Sequence, residues 1–151
     1  MADAPVWWDV AWAITETLAA SPLMDQVQVC DSFPGEQAVT SDELVWIREL
    51  MSEDVSIPVM TAGTKHYDDT FEIVLVVDVR GRPDLRSTQI RLSEIHASIH
   101  RLLAESPTLA DLAGVVSAVI SGRRQTAVTT LDGPVGFGEV TISVHTRLMP
   151  D

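Results

Sequence analysis

His96 and His100 stand four residues apart in "SEIHASIHRL", a spacing that sets two imidazoles on one face of a helix, where they can share a metal ion. The zinc-protease pattern also needs a glutamate directly after the first histidine to serve as general base, and here that position is Ala97. A catalytic zinc takes a third protein ligand as well, and none is identifiable. Two polar positions on the solvent face of an amphipathic helix account better for the pair. His66 lies beside Tyr67 in an expected loop and His145 on the polar side of an expected strand, so both read as surface residues. Asp68, Asp69 and Glu72 offer carboxylates to a hard cation, but without the spacing of a calcium loop.

Cys30 is the only cysteine, so no intrachain disulfide can form, which suits a reducing cytosol. Its setting, "QVQVCDSF", is acidic, which raises a thiol's pKa and argues for a buried structural role over a nucleophile. "GPVGFG" is glycine-rich, yet it lacks the Lys-Ser/Thr pair of a phosphate loop and precedes a strand where a phosphate cradle precedes a helix. It reads as the turn of a hairpin. The expectation is no catalytic residue, no cofactor, no metal, and a protein that is not an enzyme.

Two remaining features concern contacts. "VWWDVAW" places Trp7, Trp8 and Trp12 close together, and tryptophan anchors interfaces as readily as it fills cores. Arg80, Arg82, Arg86 and Arg91 run through one loop and into the next helix, while Arg123 and Arg124 pair on a strand. Nine arginines against one lysine suit planar, bidentate pairing with carboxylates, although a GC-rich coding bias gives the same ratio. Arg80, Arg82, Arg86, Arg123, Arg124, Trp7 and Trp8 are the candidate subunit-interface residues.

These side chains must be carried by elements, and the clearest element is "TFEIVLVVDVRGRPD" at residues 70–84. Phe71, Ile73, Leu75, Val77 and Val79 alternate with Glu72, Val74, Val76, Asp78 and Arg80, the period of a strand with one face in a core and the other partly covered. Residues 5–20 read as a first helix, with Val6, Val10, Ala13, Ile14 and Leu18 at helical spacing, Asp3 as cap and Pro5 near the first turn. "QVQVCD" is a short strand closed by the turn "SFPGE". In "ELVWIRELM", Thr40 and Glu43 have capping-box spacing, whereas "VWI" favours strand. "SIPVM" suggests another short strand and "TAGTKHYDD" a loop. Asp84 caps a second helix to about residue 105, with Leu92, Ile95, Ile99, Leu102 and Leu103 in its stripe, and Ser106-Pro107 stops it. "LADLA" suggests one more helical turn. A strand begins at Val115 with Val116, Ala118 and Ile120 on one face; "LDGPVGFG" turns it, and Val140, Ile142, Val144 and Leu148 alternate on the return. The expected fold is α+β: a mixed, largely antiparallel sheet with two main helices on one face and a C-terminal β-hairpin.

At 151 residues the chain suits one domain, and 46 % hydrophobic content supports a real core. The longest apolar run, residues 73–77, is far short of a membrane span, and "MADAPVWWDV" lacks the basic start of a secretory signal. The net charge of −12 is uneven: residues 1–78 hold 15 acids and two bases, residues 79–151 seven acids and eight arginines. Opposite potentials on the two halves would let copies attract one another head to tail. Strong nucleic-acid binding, which needs clustered positive charge, is disfavoured.

In order and spacing, the chain resembles the tail terminator (tail completion) proteins of long-tailed bacteriophages, particularly those of actinobacterial hosts. The resemblance covers nearly the whole chain: an N-terminal helix, "FPG", "VWI", "TAGTKHYDDTFEIVLVVDVRGRPD", a long helix, "SPTLADLAGVV" and "LDGPVGFGEVTISVHTRL". Its most distinctive pieces are Ala62-Gly63, the entry Asp69-Thr70-Phe71-Glu72, Pro107 with Leu109, and Arg147-Leu148. The resemblance favours strand for "ELVWIREL". It implies a subunit of a six-membered ring at the head-proximal end of the virion tail, assembled in the host cytoplasm. Such a ring caps the tail tube, stops its polymerisation and offers a surface to a head-completion protein. DNA passes through without specific binding, which the acidic bias favours. In such a ring Arg80, Arg82 and Arg86 of one subunit would meet carboxylates of the next. A neck connector of the same kind of particle and a cytosolic α+β ligand-binding domain or enzyme stand as the alternatives.

Overall fold

The alternating segment around Phe71 lies at the centre of a five-stranded sheet. A computed structural model of the chain describes residues 7–52, 67–109, 112 and 114–148. In chain order the elements are α1 (Trp7–Ala19), β1 (Val27–Cys30), β2 (Glu43–Met51), β3 (Tyr67–Val79), α2 (Leu85–Glu105), β4 (Val115–Thr130) and β5 (Gly133–Leu148). The sheet order is β1-β2-β3-β5-β4. β1 and β2 are parallel and every other neighbouring pair is antiparallel. β4 therefore runs parallel to β3 with β5 between them, and α2 makes the crossover. This is the expected α+β fold, with both helices on one face and a C-terminal hairpin.

One face of the sheet makes the core. Phe71, Ile73, Leu75, Val77 and Val79 of β3, with Val140, Ile142 and Val144 of β5, pack under Val10, Ile14 and Leu18 of α1 and Leu92, Ile95, Ile99 and Leu103 of α2. α2 starts on a reciprocal cap: the Asp84 carboxylate accepts the Ser87 backbone N–H, and the Ser87 hydroxyl faces the Asp84 N–H. Asp3, Pro5 and Val6, invoked for the start of α1, lie outside the described residues, as do "SIPVM" at residues 56–60 and most of "LADLA".

Four local expectations are corrected. β3 begins at Tyr67, so the loop drawn through residue 69 ends earlier, because Tyr67, Asp68 and Asp69 pair with Leu148, Arg147 and Thr146. "GPVGFG" is not turn but strand: the hairpin closes at Leu131-Asp132, with Gly133 supplying the positive φ (112°) that follows such a turn. Val116 does not share a face with Ala118 and Ile120, since a bulge between Val115 and Ser117 throws it outward, where it is exposed. Finally, the outer face of β3 is more than partly covered: Val74, Val76 and Asp78 are all buried. In register, Val76 sits between Trp46 and Glu139, and an ion pair from Arg48 to Glu139 crosses above it from β2 to β5. No described helix of the chain is long and apolar enough to cross a membrane.

Candidate functional site

The arginines expected at an interface fall into two groups. At the end of the sheet where β3 stops and α2 starts, Arg91 grips Glu43 with two hydrogen bonds of 2.5 and 2.9 Å, and Arg82 adds a third at 3.1 Å. Burial alone would raise the Glu43 pKa, but the hydrogen bonds from Arg91 and then Arg82 outweigh it and hold the carboxyl below its ordinary value. Arg80 reaches back to Asp78 at 3.2 Å. Asp42, Glu43, Arg80 and Arg82 thus line a recess in which the positive charge is largely answered by the chain's own carboxylates. Arg86 is exposed and enters no ion pair among the described residues.

Arg123 and Arg124 form the other group, on β4 at the edge of the sheet. Both are exposed, and β4 holds no acidic residue over its 16 positions. The start of this edge is covered, because Ala118 N–H donates to the Pro107 carbonyl at 2.8 Å. From Val119 to Thr130 the outward main chain makes no such bond among the described residues. The opposite edge is the four-residue β1, whose flanks are Asp25 and Asp31, with Glu36 in the single turn that follows. Among the described residues, the two edge strands of one sheet therefore carry opposite charge.

The tryptophans divide as well. Trp7 stacks on Phe71 with ring centroids 4.7 Å apart and donates its indole N–H to the Asp69 carboxylate at 2.8 Å, so it ties α1 to β3. Trp8 and Trp12 remain exposed, with their rings 6.4 Å apart on the outer side of α1.

The histidine reading is half overturned. His100 is exposed as expected, whereas His96 is fully buried against the sheet. Room for it exists because Gly138 faces it: a β-carbon there would overlap the imidazole. Among the described residues neither ring nitrogen has a hydrogen-bond partner, and burial, aided by Arg123, pushes the His96 pKa down to about 4. An apolar-looking stripe containing one histidine hides this in the sequence, since only the glycine across the interface makes space for the ring. Cys30 is half-buried, not fully buried, and burial followed by the Asp31 charge raises its pKa. Among the described residues no group of three histidine, cysteine or acidic side chains is placed to hold a metal.

The chain matches no model of a known protein family, and no curated protein matches it.

Proposed function

We propose that this chain is a structural assembly subunit that self-associates head to tail into a closed ring, in the manner of a tail terminator at the head-proximal end of a phage tail. The observation that carries the proposal is the pair of edge strands with opposite charge, β1 between Asp25 and Asp31 and β4 with Arg123 and Arg124. Strand edges left with unpaired main-chain groups are templates for another chain, and unlike edges pair with each other in preference to themselves. Unlike patches make a heterologous interface, which closes into a ring when the rotation per copy allows it. The role of the ring rests on the order of motifs described above: it would end the tail tube, present a joining surface to the head, and let DNA through a channel in which a chain of net charge −12 gives phosphates little to hold.

Electron microscopy of the purified protein at high concentration tests this reading. Rings of about six copies with a central hole of duplex width are the expected result. A compact monomer at every concentration, carrying a small molecule in a pocket, would overturn the proposal in favour of a ligand-binding domain or enzyme.

A further inference from the structure

Two unlike features lie at opposite ends of β4. At the tip of the β4–β5 hairpin, Leu131 is fully exposed, and Val128 beside it is half exposed. The tip stands clear of the rest of the sheet, because the last pairing of β3 is Val79 with Gly136, whereas β4 and β5 continue to Thr130 and Gly133. At the other end of β4 an apolar groove of about 200 Å³ opens between the last turns of α2 and the strand. Leu103, Ala104 and Pro107 form one wall, Ala118, Val119 and Ile120 the other, and exposed His100 also lines it.

A branched aliphatic side chain left wholly in water at a protruding turn contributes nothing to its own fold, and burying it elsewhere is favourable. The groove is larger than the ~150 Å³ apolar cavities that take up a benzene ring, so it has room for a leucine side chain. The hairpin of the same chain cannot reach it. Residue 120 lies on β4 and residue 131 directly follows the end of that strand, a separation of roughly 35 Å at about 3.3 Å per residue.

We infer that Leu131 of one copy seats in the groove between α2 and β4 of a second copy, a knob-and-hole contact that links copies head to tail. Polarity agrees with shape, since the acidic Asp132 follows the knob and His100, whose ring N–H can donate a hydrogen bond, lines the hole. This inference deepens the ring proposal, resting on its self-association but naming a different contact from the charged strand edges.

The test is a disulfide trap in the full chain with Cys30→Ser, carrying Leu131→Cys and Val119→Cys together or singly. Under mild oxidation the double variant should give a ladder of dimers, trimers and larger species, because each copy carries both halves of the contact. Each single variant should stop at trace dimer. Leu131→Asp and Ala104→Trp, which remove the knob and fill the hole at exposed positions, should each weaken self-association at least tenfold by sedimentation; mixed in equal amounts they should form a one-to-one dimer and nothing larger. Rings or oligomers that form without the 131–119 crosslink, and that survive both substitutions, would overturn the knob-and-hole contact and leave the ring proposal standing. A chain that sediments as a monomer at every concentration and yields no crosslink would overturn both.

Discussion

His96 shows how one side chain can set the acid limit of the fold. Its folded pKa lies near 4, below the 6.5 of a free imidazole, so the folded chain refuses a proton that the unfolded chain accepts. At neutral pH and above both states are neutral there and the group adds no pH dependence. As pH falls from about 6.5 towards 4, stability drains away, by on the order of 2 kcal/mol once the reach of solvent is allowed for. Urea midpoints measured at pH 7.0 and 4.5 should therefore fall further for the native chain than for His96→Leu; equal falls would remove His96 as the cause. Glu43 is the opposite case, a buried acid kept charged by Arg91 and Arg82. Glu43→Ala should cost roughly 2–3 kcal/mol in urea unfolding, because it leaves the guanidinium groups of Arg91 and Arg82 without their shared buried carboxylate. An unchanged midpoint would mean that both arginines escape to water. The same latch bears on any charge reversal at Arg82, which would disturb folding and assembly together, whereas Arg86, Arg123 and Arg124 carry no such duty.

Among the elements, α1 and α2 hold to the sheet by different means. α2 is capped at its start and lies close along β5, where Gly136 and Gly138 present no side chains; a β-carbon at Gly136 would come within 2.9 Å of Thr88. α1 packs Val10, Ile14 and Leu18 inward and is pinned at its first turn by Trp7. Trp7→Phe preserves most of the stacking on Phe71 but strips the Asp69 carboxylate of its indole donor. Since the other Asp69 oxygen is already buried without a partner among the described residues, the loss should reach about 1–3 kcal/mol. Thermal unfolding of Trp7→Phe beside Trp8→Phe checks this, because exposed Trp8 should change little. Equal effects at the two positions would show that the hydrogen bond carries no weight. The length of β4 follows from β5: the two strands form 14 cross-strand pairings interrupted by two bulges, and the bulges turn Val116 out while keeping Ala118 under α2.

At the scale of the whole molecule, charge is sorted by the sheet. Asp25, Asp31, Glu36, Asp42, Glu43 and Glu49 lie on or beside β1 and β2, and Arg123 and Arg124, paired with no carboxylate among the described residues, stand on β4 at the far edge. Reversal of both Arg123 and Arg124 to glutamate should abolish self-association at concentrations where the native chain assembles, while the far-ultraviolet circular dichroism spectrum stays native. Added salt should weaken native assembly in the same direction, because exposed charges are screened beyond roughly 8–10 Å at physiological ionic strength and above. Assembly indifferent to both would place the contact on apolar surfaces alone.

Local rules were enough for much of this architecture. Period-2 alternation located β3, period-3.6 stripes located α1 and α2, and an aspartate before a helical run located the start of α2, because each reports a backbone preference acting over a few residues. Tertiary structure decided what those rules cannot see. It took Arg82 and Arg91 inward to Glu43, sank His96 opposite Gly138, extended the hairpin through "GPVGFG" to a two-residue turn, and set Leu131 and its groove at opposite ends of β4. Each depends on which distant residue stands across an interface, and burial, pairing and open edges exist only once the strands have taken their order.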